Sequence, residues 1–178
     1  WRPTSFPATT PSRSQQATYL LTIAGAGEDV GTTGDLDITS NLVINGAGAA
    51  ITVIDGNGSV LDDRVFHIGG AFTVTFSNVT IRGGNGAVAA GDGIFNASGT
   101  VTLTNSVVTG NTGNGASGIL NVGSMTLINS TVSGNATSGD GGGIHNRGPM
   151  SLNNSTVSGN IAGGGLGGAL VVHRDQIA

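Results

Sequence analysis

Two groups of charged residues have side-chain types and a spacing that would suit a catalytic site. Asp35 and Asp37 stand two residues apart, which places both carboxylates on one face of a predicted strand. Asp62, Asp63 and Arg64 form the densest cluster of charge in the chain. A glycoside hydrolase needs two carboxylates that face each other across a groove, about 5–9.5 Å apart. Both groupings fall where turns or outward positions are predicted, so we interpret them as solvated surface.

Lyase chemistry on acidic polysaccharides is the second enzymatic option. It needs a basic residue as proton acceptor and cations that hold the uronate groups. The chain has no lysine, and its six arginines are scattered along the sequence. A shared fold does not by itself establish such an activity. We therefore predict no catalysis and keep carbohydrate binding or cleavage as the alternative.

The histidines and one aspartate are the remaining candidates for metal binding. His67, His145 and His173 do not have the spacing of a ligand set. The segment Gly139–Gly141 resembles one turn of a calcium-binding β-roll, but equivalent positions elsewhere lack its aspartate. A hard cation needs about six oxygen ligands. We therefore expect no metal site and no other cofactor.

Composition excludes several classes of function. The 178 residues carry 9% charged side chains and a formal net charge of −4, which leaves no basic surface for nucleic acid. The 33 glycines argue against a helical bundle, because a glycine in a helix interior costs about 1 kcal/mol. Cysteine is absent, so disulfides and thiol catalysis are excluded. The apolar runs are shorter than the ~18 residues that a membrane-spanning helix needs.

The elements that must position any site come from a repeat. One block recurs in steps of 25 residues, at Gly93–Asn96, Gly118–Asn121 and Gly143–Asn146. A second block follows at Asn105–Asn111, Asn129–Asn135 and Asn154–Asn160, and a partial fourth copy begins at Gly168. Between the blocks, apolar residues alternate with threonine or serine, which predicts short strands. Gly-Asn pairs predict the turns that end them.

Short strands at this period predict an all-β parallel β-helix, or β-solenoid, of about six coils between Thr18 and Val172. Coils stacked about 4.8 Å apart form a continuous core. One predicted internal stack contains Ile94, Ile119, Ile144 and Leu170, and another contains Val108, Val132 and Val157. We expect Asn105, Asn129 and Asn154 to form an asparagine ladder between coils. Phe95, Leu120, His145 and Val171 would form a mildly apolar outer ridge, for lateral packing or for cover by a loop.

The segment Gly141–Asn160 resembles repeats of bacterial right-handed β-helix surface proteins. These include polymorphic outer-membrane-protein-like repeats and large secreted proteins that carry a CSLREA motif. Leu20–Asp29, Asn45–Gly48 and Ile54–Gly56 resemble the first coils after that motif, although the motif itself is absent. The resemblance implies a right-handed, pectin-lyase-like β-helix displayed at the cell surface or secreted. It implies surface display more than any chemistry.

The two ends differ from the repeat. Residues 1–17 form a predicted Pro/Ser/Thr-rich arm, 18–172 the β-helix domain and 173–178 a tail. Trp1 and Phe6 are candidate apolar anchors of the arm, which either caps the first coil or lies on a neighbouring molecule. Leu170, Val171 and Val172 begin a coil whose apolar layer needs a cover. Head-to-tail contacts that do not close would generate a filament.

The sequence therefore predicts a non-catalytic structural protein of the bacterial cell surface or extracellular space. It would assemble end to end into a fibre or act as an adhesin. The partners expected are further copies of the chain and, for adhesion, a surface glycan. The alternative is a β-helix that binds or cleaves carbohydrate, which a groove with clustered acids and aromatic residues would indicate.

Overall fold

The computed structural model describes residues 16–25, 33–86, 91–116, 118–164 and 167–172, which contain twenty strands and one four-residue helix. The first three coils comprise β1 (Ala17–Leu20), β2 (Leu36–Asp37), β3 (Leu42–Asn45), β4 (Thr52–Asp55), α1 (Gly58–Leu61), β5 (Phe66–Ile68), β6 (Thr73–Ser77), β7 (Thr80–Arg82), β8 (Ile94–Asn96) and β9 (Thr100–Thr104). The next coils comprise β10 (Val107–Thr109), β11 (Thr112–Gly113), β12 (Ile119–Asn121), β13 (Ser124–Ile128), β14 (Thr131–Ser133), β15 (Ala136–Thr137), β16 (Ile144–Asn146), β17 (Met150–Asn153), β18 (Thr156–Ser158), β19 (Ile161–Ala162) and β20 (Leu170–Val172).

The strands stack into parallel sheets. Sheet A has the order β1-β4-β7-β10-β14-β18, sheet B has the order β2-β5-β8-β12-β16-β20, and sheet C has the order β3-β6-β9-β13-β17. A short sheet D contains β11, β15 and β19. Six strands in each of sheets A and B correspond to five complete turns of the chain. The fold is a right-handed parallel β-helix, which confirms the class predicted from the repeat.

The core consists of columns of equivalent apolar side chains. Ile94, Ile119 and Ile144 are in register and fully buried, and Leu170 continues their column in the last coil. Val108 and Val132 are likewise buried, with Val157 next in the column. Both predicted stacks are confirmed. Each buried Ile or Val side chain contributes about 1.5–3 kcal/mol relative to exposure, so cohesion accumulates coil by coil.

The side chains of Asn105, Asn129 and Asn154 do not hydrogen-bond to one another in the described structure, so the amide ladder predicted at these positions is not formed by them. These side chains are exposed, and the residues adopt left-handed φ angles of 48°, 49° and 49° at the turn after sheet C. Asn105 Nδ2 donates to Asn78 Oδ1 at 3.4 Å, on the surface. Asparagine is one of the few residues that tolerates this backbone conformation, which accounts for its recurrence at the turn.

Two other columns of asparagine carry buried amide ladders. One column contains Asn96, Asn121 and Asn146, and the other contains Asn111, Asn135 and Asn160. In the first, successive Nδ2–Oδ1 distances are 2.8 and 2.7 Å. In the second, both distances are 2.9 Å. Each side chain bonds the equivalent atom one coil away, so the ladders fix the register between coils.

A column of glycines lets the coils approach. A β-carbon on Gly93 would overlap the carbonyl oxygen of Gly118 and lie 2.8 Å from Nδ2 of Asn111. Gly118 and Gly143 have the same surroundings one and two coils further on. The glycine of the repeated block is therefore required by close packing against the next coil and the second amide ladder.

The first turns are longer than the later ones. Ala17 pairs with Thr52, 35 residues ahead, whereas Thr131 pairs with Thr156, 25 residues ahead. The additional residues of the first turn lie between β1 and β2 and between β3 and β4, and helix α1 lies in the connection of the second turn from sheet A to sheet B. Among the described residues, most of the buried charged side chains lie in the first two turns: Asp35, Asp63 and Arg64.

Candidate functional site

The outer side of sheet B carries a row of side chains, one from each coil. The row runs in register through Asp37, His67, Phe95, Leu120, His145 and Val171. Its last four members are the ridge predicted from the sequence. Leu120 is buried, and the other three are half-buried. The register of the ridge is confirmed, and lateral packing onto it stays a prediction.

The first two members of the row make a polar pair that the sequence analysis missed. Asp37 lies on β2 and His67 on β5, directly opposite each other in the parallel ladder. Asp37 Oδ1 and His67 Nδ1 are 2.8 Å apart, and the two side chains are 4% and 9% exposed. The His67 ring stacks on Phe95, with centroids 5.1 Å apart and planes 8° apart. The hydrogen bond and the stacking contact together fix the orientation of the His67 ring.

A second buried ion pair lies beside the first. Arg64 Nε donates to Asp35 Oδ2, and the two side chains are 6% and 0% exposed. The Arg64 backbone N–H donates to Asp63 Oδ1 at 2.8 Å. The guanidinium carbon of Arg64 lies 5.6 Å from the centre of the Phe95 ring, within reach of a cation–π contact. The charge of Arg64 is therefore paired with that of Asp35 inside the protein.

The interpretation of these charges as solvated surface is wrong except at Asp62. Asp35, Asp63 and Arg64 are buried, and Asp37 is nearly so, whereas Asp62 is exposed. Asp35 directly precedes β2, and Asp63 and Arg64 lie between α1 and β5, in the connections from sheet A to sheet B. Charged groups remain in such surroundings only when they are paired or hydrogen-bonded.

The surroundings of Asp35 strongly change the pKa of its carboxyl group. Burial raises its pKa to about 7, and the negative charges of Asp63 and Asp37 act in the same direction. The hydrogen bond and the charge of Arg64 lower the pKa, and burial outweighs them. Asp35 Oδ1 is buried and has no hydrogen-bond partner in the part of the chain that the structure describes. One oxygen of this carboxyl group is therefore unsatisfied.

A cleft of about 410 Å³ borders the polar pair, lined in part by Asp37, His67, Thr39 and Phe72. Asp35 does not line it; the side chain of Asp35 is fully buried, and the residue borders a separate cleft of about 240 Å³ together with Leu21 and Leu36. This arrangement does not provide two exposed carboxylates across a groove, which glycoside hydrolysis requires. Asp35, Asp37 and His67 instead offer ligand atoms that lie within 4.8 Å of one another.

The two end faces of the stack are the other candidate site. Leu36, Leu152 and Leu170 are 39%, 37% and 37% exposed, although they belong to columns whose inner members are fully buried. At the amino-terminal end, a cavity of about 580 Å³ is lined mainly by apolar side chains, among them Leu36 and Ile44. Each end therefore presents core side chains and the edge of a parallel sheet.

The predicted assembly residues are described only in part. Leu170 is exposed and Val171 is half-buried, and both lie on β20. The backbone of Val172 completes that strand. Trp1 and Phe6, with the rest of residues 1–15, and residues 173–178 lie outside the described residues. Leu170 is thus an exposed apolar residue at this end of the described structure, and its role in assembly stays a prediction.

Comparison of the chain with family models, with curated proteins and with solved structures gives no significant match. The described residues contain no helix that is long and apolar enough to span a membrane.

Proposed function

We propose that the chain is a non-catalytic structural protein that assembles end to end, at the surface of a bacterial cell or in the extracellular space. The observation that carries this proposal is the exposure of core side chains at both ends of the stack. The resemblance of the repeats to bacterial surface β-helices supports the location. The burial of Asp35, the carboxyl group with the raised pKa, supports the absence of catalysis.

Both ends of the stack present sheet edges and apolar side chains that can pair with each other. Sheets A, B and C all reach both ends, so the edge of each sheet in one copy faces an edge of the same sheet in the next. Parallel strands added at such edges continue the backbone ladder. Leu152, Val157 and Leu170 of one copy would then cover Leu36 and Ile44 of the next, as equivalent residues do between coils. Each copy of about six coils would add about 30 Å to a fibre.

The test is the assembly state of the full chain over a concentration series, by sedimentation velocity and electron microscopy. Leu152→Lys and Leu170→Lys place a charge on the carboxy-terminal face, and Val122→Lys places one on an exposed position of an inner coil. We expect wild type and Val122→Lys to form filaments and the two end variants to remain single particles. Wild-type protein that stays monomeric at all concentrations would overturn the proposal.

Adhesion to a surface glycan is the second candidate function, and the cleft beside His67 favours it. An aromatic side chain, Phe72, lies there with the polar groups of Asp37, Thr39 and His67. Aromatic faces and hydrogen-bonding groups are the usual lining of a ligand pocket. A glycan array probed with wild type and Phe72→Ala tests this function. Signals that are equal for both proteins would exclude the cleft as the binding site.

A further inference from the structure

We propose that Asp35, Asp37 and His67 form a binding site for one divalent first-row transition-metal ion. The three residues come from two coils, and the register of β2 against β5 brings them together. Their ligand atoms lie within 4.8 Å of one another. The proposal does not rest on end-to-end assembly, although Asp35 and Asp37 flank Leu36 of the amino-terminal face, at the terminal strand β2.

The separation of two ligand atoms already suits a metal ion. Asp37 Oδ1 and His67 Nδ1 are 2.8 Å apart. Metal–ligand bonds of about 2.1 Å place adjacent ligands about 3.0 Å apart around an octahedral ion and about 3.4 Å apart around a tetrahedral Zn²⁺ ion. The ion would replace the proton between these two atoms, and that proton passes to solvent. The oxygen and the nitrogen therefore need to separate by only about 0.2–0.6 Å.

Asp35 supplies the observation that points to a missing ligand. Its side chain is fully buried, and Oδ1 has no hydrogen-bond partner among the described residues. An unsatisfied buried oxygen costs about 1–3 kcal/mol, and more when it carries charge. Coordination of a cation satisfies that oxygen while Arg64 continues to hold Oδ2.

The ligand types select the metal. Imidazole nitrogen suits zinc, iron, nickel and copper, whereas calcium and magnesium prefer sites made of oxygen. Two carboxylates and one imidazole therefore favour an ion such as Zn²⁺ over Ca²⁺. Asp37 and His67 also line the neighbouring cleft, through which an ion can enter and water can complete the coordination.

The experiment is calorimetric titration of the chelator-stripped full chain with ZnCl₂. We expect one site per chain, at least tenfold weaker binding in Asp37→Asn and His67→Gln, and no comparable site for CaCl₂. Asp62→Asn and His145→Gln are matched controls, because Asp62 is exposed and His145 lies in the same row three coils beyond His67. Equal zinc affinity in the cluster variants and the controls would refute the site.

A second measurement needs no substitution, so it decides the matter even where a variant fails to fold. In long-range ¹H–¹⁵N spectra of wild type, Zn²⁺ should shift the ring nitrogens of His67 and leave those of His145 in place. Zinc that shifts His145 but not His67, or that leaves both unchanged, would show that the cluster does not bind it. Folding of each variant is checked by circular dichroism.

Discussion

Replacement of Asn121 by alanine tests whether the buried amide ladder holds adjacent coils together. Asn121 Oδ1 accepts from Asn96 Nδ2 at 2.8 Å, and Asn121 Nδ2 donates to Asn146 Oδ1 at 2.7 Å. Asn121 is fully buried, so water cannot take its place without opening the coils. The substitution removes both bonds at once.

The loss of stability follows from the groups left behind. Asn96 Nδ2 keeps two acceptors, the carbonyl oxygens of Gly99 and Ser124, both at 3.1 Å. Asn146 Oδ1 loses the amide that the structure gives it as a donor. Each net hydrogen bond is worth about 0.5–1.5 kcal/mol, and a buried polar atom without a partner costs about 1–3 kcal/mol. We expect Asn121→Ala to lower the free energy of unfolding by about 2–4 kcal/mol.

Asn105→Gly is the matched control, since it also removes an asparagine of the repeat. Asn105 is exposed, and its φ of 48° suits glycine. We expect a change of less than about 0.5 kcal/mol. Both variants are compared with wild type by equilibrium unfolding in urea, followed by circular dichroism. If Asn105→Gly lowers the free energy of unfolding as much as Asn121→Ala does, the buried ladder is not what stabilises the contact between coils.

Three further results are expected. Gly143→Ala should lower the free energy of unfolding by about 3 kcal/mol, because the added methyl group overlaps the next coil. Gly159→Ala should lower it by about 1–2 kcal/mol, because Gly159 has a φ of 61° but open space around it. Equal losses of the two variants in urea unfolding would contradict the packing explanation. Ile119→Ala, in the buried centre of its column, should cost about 3–4 kcal/mol, and Leu152→Ala, 37% exposed, about half of that, by the same assay. Because burial raises the pKa of Asp35 from 3.8 to about 7, the folded state retains a proton that the unfolded state releases, so stability should fall as pH rises from about 4 to 7. Asp35→Asn, measured with chelator present, should remove that slope, and an unchanged slope would show that another group titrates.

The repeat predicted the coils because equivalent residues recur at a fixed distance. It could not assign the asparagines of the second block, since Asn129 and Asn135 recur with the same period and the same residue type. The difference lies in the backbone: Asn129 has a φ of 49° and is exposed, whereas Asn135 is buried and bonded to both neighbouring coils. Period alone does not tell a turn residue from an interior one.

The polar pair of Asp37 and His67 was not predicted, because the first turns are longer than the 25-residue repeat. The two residues are 30 positions apart, so no 25-residue alignment pairs them. A signal was nevertheless present. Asp37 lies between Leu36 and Ile38, and His67 lies between Phe66 and Ile68, the same alternation that places Phe95 outward. Alignment on that triplet, with the spacing left free, would have brought the two side chains together.

The uniform contacts between inner coils make the length of the molecule adjustable. Removal of residues 119–143 would join Gly118 to Ile144 and leave Asn96 facing Asn146 across the same amide bond that Asn121 now makes. Such a deletion or a duplication of one unit changes the rod by a single step of about 4.8 Å and leaves both terminal faces intact. The inner coils thus act as an interchangeable spacer, whose extent unequal recombination can alter without redesign of the ends.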